Sequence, residues 1–91
     1  MQKYLLSVIT VVKNDQRNIQ KTIKSIISQK KNNIEYIVID GKSEDNTLKE
    51  VKKFKRNIDL ILSEKDDGIY SAMNKGIKFA KGEIIVFCNS G

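Results

Sequence analysis

Glu83–Gly91 reads EIIVFCNSG, a short apolar run that emerges into a small polar tripeptide. Two earlier runs behave the same way. Leu5–Val12 leads into Lys13-Asn14-Asp15, and Ile34–Ile39 leads into Asp40-Gly41-Lys42-Ser43. Strands that release polar and acidic groups at their carboxyl ends are how open α/β sheets build ligand crevices. The stretch therefore predicts a parallel sheet with a binding site along one rim.

Outward from it, the pattern alternates along the whole chain. Leu5–Val12 is almost unbroken in aliphatic and β-branched residues, as in a strand covered on both faces. Ile19, Ile23, Ile26 and Ile27 fall at helical spacing and predict a helix over 17–29. Ile34–Ile39 is a second strand. Ser43-Glu44-Asp45-Asn46 carries helix-start signals, with Leu48, Val51 and Phe54 as the apolar stripe of a second helix. Ile58–Leu62 predicts a third strand. Ile69, Tyr70, Met73, Ile77 and Ala80 predict a third helix, with Gly82 ending it at a positive φ. Glu83–Phe87 is the fourth strand. The order β-α-β-α-β-α-β with short connections implies right-handed crossovers and an open, mostly parallel sheet with helices on both faces.

The 91 residues suit one small domain, 40% apolar and 31% charged, able to bury roughly 60–70% of its unfolded surface. No apolar run approaches the roughly 20 residues that cross a bilayer. The apolar stretch near the N-terminus is too short for a signal peptide and lacks a small-residue cleavage site. With no His and only Cys88, His-based triads, zinc sites and an internal disulfide are excluded within these residues. A cytoplasmic setting is the expectation, with Cys88 a small buried hydrophobe. The formal charge is +6, much of it in Lys49–Arg56, KEVKKFKR. A solvated helix face is one reading and peripheral contact with an anionic membrane the other. No aromatic-interleaved basic strand or zinc knuckle supports nucleic-acid binding.

The loops narrow the chemistry. A dinucleotide fold would carry G-x-G-x-x-G after the first strand, but Lys13–Asn18 has no glycine, and no P-loop occurs. Asp40 could accept hydrogen bonds from a ribose or a base; Asp40-Gly41 is equally a strong turn dipeptide. Ser43, Asp45 and Thr47 read as residues that hold that loop in shape. In Ser63–Gly76 (SEKDDGIYSAMNKG), Glu64, Asp66 and Asp67 precede a helix start, where acids complement the dipole. Asn74 and Gly76 are poor interior helix formers, glycine by about 1 kcal/mol. Close packing, or a polar contact into the crevice, would explain them.

The string EKDDGIYSAMNKGIKFAKGEIIVFCNSG resembles the E-x-D-x-G-[IV]-Y-D-A-M-N-K-G-I…F-L-N-[SA]-[DG]-D signature of family 2 glycosyltransferases. Ser7–Asn14 (SVITVVKN) resembles their first-strand pattern and Ile37–Thr47 (IVIDGKSEDNT) their D-[DG]-x-S-x-D-x-T loop. The resemblance implies the nucleotide-sugar-binding N-terminal half of a Rossmann-like GT-A fold, with strand order 3-2-1-4. It implies transfer of a sugar from a nucleotide-diphospho-sugar to a polysaccharide or lipid-linked acceptor, with inversion. Thr10, Val12 and Asn14 would border the base, Asp40 the base or ribose, and Glu64, Asp66 and Asn74 the donor crevice. Asn89-Ser90-Gly91 would open a metal-binding motif whose carboxylate holds Mg²⁺ or Mn²⁺ on the diphosphate. By the same resemblance residues 1–91 are one truncated domain without the acceptor-binding half or general base. No catalytic residue is named, and the fragment is expected to be inactive alone. Lys13 departs from the family's aromatic; its ammonium would reach phosphate or remain solvated.

Two other readings remain beside it. A receiver-like module would gather Asp15, Asp40 and Asp66 around Mg²⁺. A structural remnant would self-associate through an exposed sheet edge, leaving apolar surface around Ile84–Phe87 uncovered.

Overall fold

The computed structural model describes residues 3–90. Four parallel strands, β1 (Leu6–Val12), β2 (Ile34–Asp40), β3 (Leu60–Ser63) and β4 (Ile84–Phe87), form one sheet in the order β3-β2-β1-β4. Helices α1 (Ile19–Ile27), α2 (Thr47–Lys52) and α3 (Ile69–Phe79) alternate with them, and a 3₁₀ turn at Lys55–Asn57 follows α2. The expected alternation and strand order are both present.

The strands' period of two sorts the core into two layers. Val8, Val12, Tyr36 and Val38 meet Ile19 and Ile23 of α1 and Val51 of α2. On the opposite face Ile9, Ile37 and Ile39 meet Ala72 of α3. Gly76 explains how closely α3 lies on the sheet, since an added Cβ would stand 2.6 Å from Ile9 Cγ2. That close packing is one of the two reasons the sequence offered for keeping a glycine there.

Helix ends differ from expectation where tertiary hydrogen bonds take over. The first helix spans Ile19–Ile27: before it the amides of Asp15 and Gln16 are taken by Thr47 Oγ1 and Asp45 Oδ2, and after it Gln29 and Lys30 N–H bond only three residues back, to Ile26 O and Ile27 O. The second stops at Lys52, and Phe54 sits in the following turn. Gly82 does not adopt a positive φ. It is small because its backbone presses on β1: a Cβ would lie 2.6 Å from Ser7 N, and its N–H donates to Ser7 Oγ at 2.8 Å. The buried Glu35 completes this junction, accepting from Ser7 Oγ and Lys81 N–H at 2.8 Å each.

The chain builds outward from β1 through β2 to β3, then returns over the other face to place β4 against β1. This reversal opens a crevice at the strands' carboxyl ends beside β1.

Candidate functional site

Val12, Asp40 and Ser63 lie level with one another at the ends of β1, β2 and β3. β4 pairs only with Leu6–Ile9, so β1 projects three residues beyond that ladder. Cys88-Asn89-Ser90 runs beside the projection: Cys88 N–H donates to Ile9 O at 2.9 Å, and Asn89 Oδ1 accepts from Val11 N–H at 3.3 Å. The resulting crevice has a volume of about 440 Å³. Lys13, Asn14, Asp15, Asp66, Asn89 and Ser90 supply its polar lining; Val11, Val12, Gly68, Ile69 and Ala72 supply the rest.

Two interlocked loops shape one wall. Asn14, held at φ 51°, accepts from Glu44 N–H through its side chain and donates its own N–H to Ser43 Oγ, both at 2.8 Å. Gln16 Oε1 accepts from Asn46 N–H at 2.9 Å. Thr47 Oγ1 accepts from Asp15 N–H and donates to Asp45. This Thr47 bond, above all, holds the Asp45 carboxyl below its ordinary range; backbone donors add to it and desolvation works the other way. Ser43, Asp45 and Thr47 thus hold the loop, as their residue types suggested. Asp15 accepts from Asn18 Nδ2 at 3.0 Å and from Ser90 Oγ at 2.5 Å, which ties the first loop to the end of β4.

The opposite wall is the start of α3. Gly68 precedes it at φ 119°, ψ −178°, a conformation open to glycine and strained for other residues. Asp66 Oδ1 accepts from Gly68 N–H at 3.1 Å. Gly41 allows Asp66 to approach the β2 loop, since a Cβ there would meet Asp66 Oδ2 at 2.8 Å and Lys13 Cδ at 3.4 Å. An acid from one wall and a lysine from the other therefore converge over Gly41.

Of the eight residues singled out by sequence, Val12, Asn14, Asp66 and Asn89 line this crevice. The other four lie elsewhere. Thr10 is fully buried; its hydroxyl donates to Cys88 O at 2.7 Å, so the 2.8 Å bond with Tyr36 OH has Tyr36 as donor. Asp40 is also fully buried, accepting from Ser43 N–H and Ser43 Oγ and, at 2.8 Å, from Ser63 Oγ. Of its two readings, the loop-forming one describes this geometry. Glu64 pairs with Lys75 at 3.2 Å. Asn74 is exposed on α3 and makes no contact with the crevice. Cys88 is exposed as well, contrary to expectation, because β4 is an edge strand and nothing among the described residues covers it. Gly91 lies outside the described residues.

Lys13, Asp15 and Ser90 also line the crevice; the sequence offers Lys13 to phosphate, Asp15 to the receiver-like reading and Ser90 to the metal-motif tripeptide, without counting them among the eight. A signal existed in the position of Lys13-Asn14-Asp15 directly after the strand where the sheet order reverses. The described residues gather no three Asp, Glu, Cys or His side chains that could hold a metal ion. A receiver-like cluster of Asp15, Asp40 and Asp66 is therefore not formed among the described residues: Asp40 is fully buried, and its carboxylate accepts from Ser43 and Ser63.

Residues 7–90 match the family model described as glycosyl transferase family 2. Over 91 residues the chain is 35% identical to an Escherichia coli UDP-Glc:alpha-D-GlcNAc-diphosphoundecaprenol beta-1,3-glucosyltransferase, covering 99% of this chain and 36% of that protein. S. aureus TarS, solved in complex with UDP-GlcNAc, superposes with a TM-score of 0.85 at 27% identity, over 93% of this chain and 26% of that one. A Pyrobaculum calidifontis mannosyltransferase, solved with GDP-Man and Mn²⁺, shares the fold with a TM-score of 0.85 at 23% identity, over 96% of this chain and 27% of that one. The chain spans about a third of the length of the curated relatives it matches.

Proposed function

The chain belongs to glycosyl transferase family 2, and on that premise we propose that its crevice holds the nucleoside diphosphate of a sugar nucleotide. The observation that carries this reading is the convergence of Lys13, Asn14, Asp15, Asp66 and Asn89 on one cavity where the strand order reverses. The glucosyltransferase relative and TarS support a uridine nucleotide in particular. Lys13, the cation of the crevice lining, is matched to the anionic ligand, and the start of α3 adds the positive end of a helix dipole.

The whole protein's activity follows as part of the same proposal: sugar transfer, with inversion, to a polysaccharide or lipid-linked acceptor in the cytoplasm. Residues 1–91 form its donor-binding domain and by themselves hold a nucleotide without transferring sugar. No general base is assigned among them. The reading carries with it a divalent cation, Mg²⁺ or Mn²⁺, that would neutralise the diphosphate. The described residues do not supply a full donor set for it, and Asp15 already takes bonds from Asn18 and Ser90. The outer edge of β4, which has no strand partner among the described residues, would pair with a second copy.

Backbone NMR during a UDP titration, with and without Mn²⁺ or Mg²⁺, tests the proposal. Millimolar binding should move the amide signals of Lys13–Asp15, Asp66–Ile69 and Asn89–Ser90. Unchanged spectra, or shifts confined to other residues, would overturn it, and sugar transfer by the isolated chain would refute the division of labour.

A further inference from the structure

The net charge is divided unequally between the two helix layers. Residues 13–57, which contain α1, α2 and the 3₁₀ turn, hold twelve of the seventeen lysines and arginines and six of the eleven acids. Residues 58–90, which contain α3, hold four cations and five acids. The helix layer itself, 19–27 and 47–57, carries seven of the twelve cations and one acid, Glu50; the other cations and acids of residues 13–57 lie on β2 and the loops. Two of the six acids there, Glu35 and Asp40, are buried and offset little at the surface.

Packing explains why the charge faces outward. α1 buries Ile19 and Ile23, and α2 buries Thr47 and Val51, so lysines at the intervening positions are turned to solvent. Lys21, Lys24, Lys49, Lys52, Lys55 and Arg56 are all exposed. Ion pairing within this layer is sparse among the described residues. Lys53 pairs with Glu50, and Lys30 reaches Asp59. The half-buried Phe54 lies in the middle of the run. The crevice opens at the strand ends, so this face does not overlap the nucleotide site.

We propose that the face formed by α1, α2 and Lys55–Arg56 docks the protein on an anionic lipid bilayer, with its cations lying parallel to the headgroups. Charge complementarity argues for the occupant: a broad array of mobile ammonium groups suits a diffuse anionic plane, because each gains from the surface potential without needing a fixed partner. No helix among the described residues is long and apolar enough to cross a membrane, so the contact is peripheral. It is independent of the nucleotide reading, and UDP binding is measured separately on the same preparations.

The test is co-sedimentation of the chain with vesicles of neutral phosphatidylcholine or of phosphatidylcholine with phosphatidylglycerol. Binding should require the anionic lipid and fall steeply as salt is raised. Lys49→Glu/Lys52→Glu should lower the partition coefficient roughly tenfold or more, whereas Lys78→Glu/Lys81→Glu, with the same change in net charge on the α3 layer, should leave it within about twofold. Both pairs should retain the wild-type circular dichroism spectrum. Equal losses in the two pairs would show that net charge and not this face is responsible, and would overturn the proposal. So would equal binding to neutral vesicles, or an unlabelled oligonucleotide displacing the protein from the vesicles at physiological salt.

Discussion

Tyr36 shows how a polar residue can be required by a core. Its ring is fully buried beneath α1 and α2, and its hydroxyl donates to Thr10. Burial pushes its pKa up to about 12; the Thr10 bond opposes that rise, and the charge of Cys88 adds to it. Because the unfolded chain loses this proton near pH 10, it binds fewer protons than the native state between pH 10 and 12, and stability falls as pH rises through that window. The full contribution is present below pH 10, and its loss amounts to about 2–3 kcal/mol by pH 12. Tyr36→Phe should remove that part of the alkaline loss and cost about 1 kcal/mol at neutral pH, where Thr10 loses a donor. Urea unfolding of both proteins at pH 7 and across pH 9–11 measures the crossover. Gly76 offers a steric counterpart. In Gly76→Ala the new methyl would meet the fully buried Ile9 side chain, and overpacking of this kind costs about 1–3 kcal/mol. A urea midpoint unchanged from wild type would contradict the close α3–β1 approach.

At the scale of elements, the interlocked β1–α1 and β2–α2 loops set one wall of the crevice. Asn14→Ala removes the acceptor for Glu44 N–H and leaves a residue ill-suited to φ 51°. The expected result is about 1–2 kcal/mol of lost stability, with UDP affinity weakened severalfold; isothermal titration and urea melts read the two effects separately. Lost stability with unchanged affinity would mean that the wall tolerates movement. The same loops mark how far the sequence could be read. β1 and β2 were legible because apolar residues continue through both faces, and α1 because its isoleucines repeat at helical spacing. β3 was blurred: Ile58 packs in the core before the strand begins, and Asp59 Oδ2 accepts from Tyr36 N–H at 2.8 Å. The site was legible as a rim but not residue by residue. Whether an acid at a strand end faces the crevice or the neighbouring loop depends on register. Asp40 turns inward because Ser63, twenty-three residues later, lies level with it and bonds it. How Asp15 is fixed in the wall was not legible, because its partners, Thr47 and Ser90, are distant in sequence.

For the molecule as a whole, the unbalanced feature is β4. Its inner edge bonds to β1, yet Ile84 is 53% exposed and Val86 43%, and its outer edge has no strand partner among the described residues. Exposed edges with apolar faces pair with other chains unless charge or proline intervenes. The chain is therefore expected to self-associate, with β4 of one copy adding to β4 of another. The ladder specifies a discriminating substitution. Ile84 N–H bonds to Leu5 O, and Cys88 N–H bonds to Ile9 O. The alternation of a strand's N–H groups then places that of Ile85 on the outer side. Proline at position 85 removes an edge donor without breaking the β1 ladder. Ile85→Pro should abolish concentration-dependent association in sedimentation equilibrium while changing stability by less than about 1 kcal/mol. If the variant still associates like wild type, edge pairing is not the mode. If wild type is monomeric at all concentrations, the charge of +6 outweighs the exposed apolar strip, as repulsion between like-charged copies can at low salt. Repeating the measurement at raised ionic strength separates these forces, because screening weakens the repulsion and leaves the apolar attraction in place.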